Sequence, residues 1–229
     1  IIITILVLIV VAGGAYAVLN TPEDRSFGQK IEDAANNLKV IIEGRCMKGV
    51  IFRGLEALVI EKCGMAAWDD LLEKNAPEGR VYISAESYPD EEIVGLAQDV
   101  ATALSMSMPE VLKAFGEYLF SHLKARHPAI VDSFNSFADL IISIDKVIHV
   151  EVAKLYHEPN LPEIDAQIIE DGFILMRYNS KRQLCMCAEG LIFGAAAHYG
   201  VDAKLNHAQC MHDGFDSCLI EIKYETPHG

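Results

Sequence analysis

The stretch Ser136–Tyr156 reads SFADLIISIDKVIHVEVAKLY, and its pattern decides how we interpret the rest of the chain. Ser136 followed by Asp139 is typical of a helix start, and apolar side chains recur after it at helical spacing. The pattern therefore predicts one amphipathic helix over 136–156. One stripe of this helix consists of Ile142, His149, Val152 and Tyr156.

His149 lies within this aliphatic stripe, where a charged imidazolium would be costly. A neutral imidazole in such a place needs a partner, and buried polar groups usually find a backbone carbonyl. A metal or a haem iron is the alternative partner. The helix alone favours the carbonyl.

The composition of the chain excludes some functions. The 229 residues carry a net charge of −14 and a pI near 4.9, which argues against a nucleic-acid partner, because phosphate binding needs a basic face. Six cysteines are too few and too unevenly placed for a disulfide scaffold. Four of the six cysteines lie in the last quarter of the chain: Cys185, Cys187, Cys210 and Cys218. This clustering indicates metal or redox chemistry in a reducing compartment, so we expect a cytoplasmic domain.

The N-terminal residues suggest a separate segment. Residues 1–19 form an uncharged apolar run, close to the length of a bilayer-spanning helix, so 1–20 is a candidate transmembrane helix. Residues 21–46 resemble a stalk, and a well-formed domain begins at Met47 and runs through 47–229. Two interpretations compete: residues 1–19 tether the domain to the inner membrane, or residues 1–46 are an upstream segment joined to a soluble protein.

The hydrophobic period changes along the chain. It is helical up to Tyr156, beginning with an amphipathic helix from Met47 to Gly64, and shifts toward alternation beyond Pro162. Two hairpins, around Asp171-Gly172 and Asp213-Gly214, then flank a helix. The predicted fold class is α+β: an N-terminal helical subdomain, the His149 helix, and a C-terminal antiparallel sheet with one helix.

The segment RYNSKR contains a row of hydrogen-bond donors. On an extended strand, Tyr178, Ser180 and Arg182 would point to one face. A phenol, a hydroxyl and a guanidinium in a row suit carboxylates, because the guanidinium can hold one in a bidentate manner. By themselves these residues favour the alternative, a solvated strand face.

Taken together, VIHVEVAKLY, HEPNLP, Y-x-S-x-R, LCMCAEGL and CMHDG resemble the haem nitric oxide/oxygen binding (H-NOX) family. The resemblance covers Met47 to about Thr226 and is greatest to bacterial stand-alone members with extra cysteines near the C-terminus. It implies that His149 is the only protein ligand to the iron of haem b, and that Pro162 presses on the porphyrin. It also implies that the propionates are held by Tyr178, Ser180 and Arg182.

The resemblance has consequences for the gas that binds. In oxygen-holding members a tyrosine donates to bound dioxygen, and Cys187 occupies the matching position here. The resemblance therefore implies a sensor that binds NO and CO but not O₂, and in which NO breaks the iron–imidazole bond. A Tyr118 hydroxyl turned into the pocket would weaken this expectation. The residues expected over the open iron face are Ile51, Leu119, Leu123 and Leu191.

Three thiolates and one imidazole near the C-terminus suit tetrahedral zinc. Similar family members place zinc on Cys185, His207, Cys210 and Cys218 and use their oxidation as a redox switch. Cys187 is the alternative to Cys185, and since the two lie about 200° apart on a helix, only one should ligate. A set of buried or surface thiols is the remaining alternative. His127 has no such neighbours in the sequence and is expected to be a solvated or loop residue.

No nucleophile–base pair, phosphate loop or carboxylate dyad with convincing spacing occurs, so we expect no enzymatic activity. A peroxidase is disfavoured because the distal side lacks a His/Arg acid–base pair. The predicted function is a haem-based NO sensor that signals to a histidine kinase or to a cyclic-di-GMP enzyme (a diguanylate cyclase or phosphodiesterase). The alternative is a thiol/zinc redox sensor in which haem is accessory.

Overall fold

The computed structural model describes residues 46–156 and 160–225 of the chain. The predicted transmembrane helix over 1–20 and most of the predicted stalk lie outside these residues. Cys46, which the sequence placed at the end of the stalk, is instead the first residue of a strand. Among the described residues, no helix is both long and apolar enough to cross a bilayer.

The N-terminal half is helical, with one small two-stranded sheet. Its first strand replaces the start of the helix that the sequence predicted from Met47, because Met47 pairs with Tyr88 in antiparallel register. Pro89 lacks an amide hydrogen and ends the second strand, where no donor is needed. The elements are β1 (Cys46–Lys48), α1 (Gly49–Cys63), α2 (Met65–Asn75), β2 (Ser87–Pro89), α3 (Asp90–Leu104), α4 (Met108–Arg126) and α5 (Pro128–Val131).

The start of α4 is determined by a capping box. The Ser107 amide donates to Glu110 Oε2 at 2.8 Å, and the Glu110 amide donates to Ser107 Oγ at 3.5 Å. These contacts satisfy amide groups that the first helical turn leaves without partners. The sequence placed this start at Pro109, which is the second helical residue.

The predicted single helix over 136–156 is interrupted. Its start is as expected, since the Asp139 amide donates to Ser136 Oγ at 3.1 Å. A π turn then adds one residue to the helical repeat. As a result Ile141, eight residues before His149, is buried, whereas Ile142 is only half-buried. The segments are α6 (Phe137–Ile142), the π turn (Ile144–Ile148) and α7 (His149–Leu155).

The C-terminal half contains a four-stranded antiparallel sheet in the order β3-β4-β6-β5. Gly172 at φ 76° makes the first hairpin turn, and Gly200 at φ 66° ends the helix between the hairpins. This arrangement confirms the predicted α+β class. The elements are β3 (Glu163–Glu170), β4 (Phe173–Asn179), α8 (Cys185–Tyr199), β5 (Asp202–Gln209) and β6 (Cys218–Glu225).

Two apolar cores, one in each half, meet where α4 crosses α8. Phe52, Leu96 and Phe115 belong to the first core, and Ile174 and Ile220 to the second. At the crossing, a Cβ on Gly190 would lie 2.1 Å from the Lys113 carbonyl oxygen and 2.8 Å from Gly116 Cα. Only glycine permits this approach, so the two halves contact each other through backbone at this point.

Candidate haem cavity and metal site

A cavity of about 390 Å³ is lined by residues of both cores. Its volume lies within the range of roughly 300–1,000 Å³ that is usual for small-molecule and cofactor sites. Most of its wall is aliphatic or aromatic. The nine residues that the sequence assigned to haem all line it: Ile51, Leu119, Leu123, His149, Pro162, Tyr178, Ser180, Arg182 and Leu191.

His149 enters the cavity wall from the start of α7. Its Nδ1 lies 3.1 Å from Asp145 Oδ1, and its side chain is 15% exposed. An ionised carboxylate can only accept, so Nδ1 carries the proton and Nε2 keeps its lone pair. Burial lowers the pKa of His149, while Asp145 acts in the opposite direction. The imidazole therefore has a carboxylate partner rather than the expected backbone carbonyl, and it can ligate through Nε2.

The donor row lies at the end of β4, but it is not one extended strand. The strand ends at Asn179, and the Gln183 amide donates to the Ser180 carbonyl at 3.0 Å, which makes a turn. Burial raises the pKa of Tyr178 to about 12, although hydrogen bonds with Ser180 and Leu184 lower it. Tyr178 is therefore a neutral phenol at physiological pH.

Arg182 joins the two halves of the domain. Its Nε donates to Asp90 Oδ2 at 2.7 Å and its Nη1 to the Asn160 carbonyl at 2.8 Å, while Nη2 donates to the Cys46 carbonyl. The side chains of Arg182 and Asp90 are only 14% and 16% exposed. These contacts engage three of the five guanidinium N–H groups, so two remain for a bound carboxylate.

Among the described residues, the helices that carry the expected gas-binding residues, α1, α4 and α8, contribute no tyrosine to the cavity wall. Tyr118 does not line the cavity, and its hydroxyl bonds to Glu61 instead. Cys187 does line the cavity, and burial raises its pKa to about 12, so the thiol stays neutral. A thiol is only a weak hydrogen-bond donor.

The sequence assigned no haem role to several polar residues of the cavity wall, among them His127, Tyr156 and Lys48. His127 follows Leu119 and Leu123 at intervals of four residues, so the period of α4 could have placed it there. Its Nε2 lies 3.4 Å from Tyr156 Oη. Lys48 is 9% exposed and donates to Ser87 Oγ at 2.8 Å, a contact across the unpredicted strand pair.

A second site is formed by the four residues predicted to bind zinc. The ligand atoms of Cys185, His207, Cys210 and Cys218 all lie within 4.8 Å of one another, and the sulfurs of Cys185 and Cys210 are 3.8 Å apart. A tetrahedral zinc ion with bonds of about 2.3 Å to sulfur would set its sulfur ligands about 3.8 Å apart. Cys187 faces the haem cavity instead.

The environment of these four residues suits a cation. The three thiols are buried, and burial, reinforced by the neighbouring thiols of Cys218 and Cys210, raises the pKa of Cys185. His207 Nε2 is buried without a hydrogen-bond partner among the described residues. Such an atom is costly unless something binds it. The donor set therefore fits zinc, which binds imidazole and displaces thiol protons.

The two sites share a sheet and a helix. Tyr178 is the cross-strand partner of Cys218 in the β4–β6 pair. Helix α8 contributes Cys185 to the cysteine cluster and Cys187 to the cavity. A change in the cluster therefore has a short physical route to the cavity wall.

The fold and the cavity define the class of protein: an α+β domain that encloses an apolar cofactor pocket. The model of the haem-NO-binding family matches residues 48–207. The chain therefore belongs to the haem-NO-binding (H-NOX) family, a family of haem-based gas sensors.

Solved structures extend this similarity. An H-NOX protein from S. oneidensis in the Fe(II)NO state is 49% identical, covers 79% of this chain and 100% of its own, and superposes with a TM-score of 0.77. An H-NOX domain from Shewanella oneidensis in the Fe(II)CO state is 49% identical over 78% and 99% of the two chains, with a TM-score of 0.74. The H-NOX from Shewanella woodyi, also in the Fe(II)CO state, is 32% identical over 80% and 96%, with a TM-score of 0.69. A search of curated proteins found no match.

Proposed function

We propose that this domain is a haem-based nitric oxide sensor that signals to a separate protein. The observation that carries the proposal is the cavity itself. One wall presents the unprotonated Nε2 of the His149 imidazole, whose side chain is only 15% exposed, and the rim presents the donors Tyr178, Ser180 and Arg182. Haem b has this complementary shape: a flat apolar body, an iron that takes an axial imidazole, and an anionic edge.

Each residue has a defined part in holding the cofactor. His149 would hold the iron through Nε2, and Asp145 fixes the tautomer that makes this possible. The remaining guanidinium N–H groups of Arg182, with Ser180 and Tyr178, would bind the propionates. Pro162 would contact the porphyrin from the cavity wall. When bound, ferrous haem supplies an iron with one open coordination position.

The lining over that open position selects the gas. Ile51, Leu119, Leu123 and Leu191 offer no hydrogen-bond donor, and Cys187 offers only a weak one. Bound dioxygen becomes polarised and gains from a donor, whereas NO and CO bind ferrous haem without one. The domain is therefore selective for NO and CO over O₂. The Fe(II)NO and Fe(II)CO structures of the similar S. oneidensis proteins support the binding of NO and CO.

The output passes through the helix that carries His149. None of the residues of α7 is buried, so few packing contacts other than the iron ligand hold it in place. Release of His149 from the iron would free α7 and the adjacent π turn to change position. A histidine kinase or a cyclic-di-GMP enzyme is the partner class that reads this change, and the domain itself has no catalytic role.

The test is a set of absorption spectra of the full chain, reduced, in air, and then with NO or CO. We expect the ferrous spectrum to show no oxy form in air and to change with NO and with CO. A stable oxy spectrum would overturn the selectivity, and failure to bind haem would overturn the whole proposal.

Replacing Asp145 by Asn is expected to weaken the iron–histidine bond, because a neutral amide accepts the Nδ1 proton less strongly than a carboxylate. The Asp145 side chain is 52% exposed, so the change in haem affinity should stay below about tenfold. Resonance Raman should show a lower iron–histidine stretching frequency in the ferrous protein. Glu151→Gln, on α7 two residues after His149, is the control, and equal frequencies in both variants would contradict the role.

We further propose that Cys185, His207, Cys210 and Cys218 bind one zinc ion. Their geometry also favours a second function, a thiol/zinc redox sensor in which haem is accessory. Substituting Cys210 and Cys218 by Ser separates the two functions. NO-dependent control of the partner survives if haem is the sensor and is lost if the thiols are.

A further inference from the structure

We infer that Glu189 is a positioning residue of the cysteine–histidine site, and that Lys113 on α4 holds it in place. The inference rests on the proposed zinc site and extends it beyond the four ligands. It derives from a chain of contacts that runs from α4 through α8 to β5.

The first contact determines the tautomer of His207. Its Nδ1 lies 2.9 Å from Glu189 Oε1, and both side chains are mostly buried, at 13% and 8% exposure. The carboxylate can only accept, so the proton is on Nδ1 and the lone pair of Nε2 faces the thiols. This is the orientation that a metal requires, and hydrogen bonds of this kind fix and strengthen ligating histidines.

The second contact holds the carboxylate. Lys113 Nζ donates to the other oxygen, Glu189 Oε2, at 3.1 Å, so each oxygen has one partner. A buried carboxylate without a cation would be costly. Lys113 Nζ also lies 4.5 Å from the centre of the Phe193 ring, which limits its freedom.

The charges of the zinc-bound site explain why the ammonium group of Lys113 is needed. Three thiolates, a neutral imidazole and a divalent ion leave one excess negative charge, and Glu189 adds another beside it. Lys113 offsets the negative charge of Glu189. It does not interfere with the zinc ligand His207, because it contacts Oε2 of the carboxylate whereas His207 contacts Oε1. The helix that supplies Lys113 also lines the haem cavity, through residues such as Val111 and Phe115. The metal site is thereby connected to the wall of the gas-binding pocket.

The experiment measures zinc affinity of the full chain by competition with a chromophoric chelator, after anaerobic purification. Glu189→Ala should bind Zn²⁺ about 10- to 100-fold more weakly than the wild type, the usual effect of losing such a partner. Glu189→Gln should stay within about threefold, because its amide oxygen can still accept from Nδ1. Glu117→Ala, at an exposed glutamate on α4, is the matched control and should leave affinity unchanged. Wild-type affinity in a folded Glu189→Ala protein would overturn the inference.

A second measurement does not depend on zinc or on the folding of a variant. Long-range ¹H–¹⁵N NMR of the metal-free wild type should find Nδ1 of His207 protonated and Nε2 unprotonated. The opposite tautomer would overturn the role of Glu189. If the wild type binds no zinc but shows the expected tautomer, the zinc site is wrong and the positioning role stands.

Discussion

His149→Gly is expected to abolish the bond between haem and protein. The cavity would keep its apolar wall and its rim, but no other described side chain has been assigned to the iron. Resonance Raman of the ferrous protein should therefore lose the iron–histidine band, and NO should no longer control the partner. Added imidazole should enter the space and restore the band, while control of the partner should remain lost, because α7 would no longer be attached to the iron.

The matched control for this change is His198→Gly. His198 is exposed on α8, outside the haem cavity, and a glycine there carries a similar helix penalty of about 1 kcal/mol. This variant should keep the band and the response to NO. An unchanged band in His149→Gly would remove His149 from the ligand role.

Arg182→Ala is expected to reduce both haem binding and stability. Hydrogen bonds to charged groups contribute roughly 1.5–3 kcal/mol, so loss of the propionate contact should weaken haem binding about 10- to 100-fold. The change also leaves Asp90, which is 16% exposed, without its guanidinium. Breaking one partner of a buried pair costs about 3 kcal/mol or more. For a domain of this size that corresponds to a fall in Tm of roughly 6–12 °C.

A double variant separates the two roles of Arg182. In Asp90→Asn with Arg182→Ala, the mostly buried negative charge at position 90 is removed together with the guanidinium, so thermal stability should recover in part while haem binding stays weak. Lys181→Ala, at the exposed neighbour, should change neither quantity. Haem binding by Arg182→Ala as tight as that of the wild type would contradict a propionate role.

Local signals allowed much of the fold to be predicted. The Ser136–Asp139 cap, the glycine at position 200 and the turn at Gly172 each depend on residues within a few positions, and each occurs as expected. The strand pair of Met47 with Tyr88 was missed because each strand has only three residues. A pairing of that length produces no periodic pattern in the sequence, and the two partners, at positions 47 and 88, are 41 positions apart.

The sequence did not predict the local geometry around the expected haem ligands. The single-helix interpretation placed Ile142 on the stripe of His149, whereas Ile141 is the buried residue. The difference arises because no sequence pattern predicts the π turn. Likewise Tyr178, Ser180 and Arg182 share the cavity through a turn after Asn179, not through strand alternation.

By itself, the sequence determined most of the helices, the two C-terminal hairpins and the Ser136 cap, and it indicated candidate side chains for binding iron, propionates and zinc. Only the tertiary structure decided which partners those side chains have. Asp90 meets Arg182 across 92 positions, and Lys113 meets Glu189 across 76. Such contacts depend on how distant segments pack, and burial then makes a pairing that would be weak in water significant for the site. Local sequence patterns do not reveal that burial.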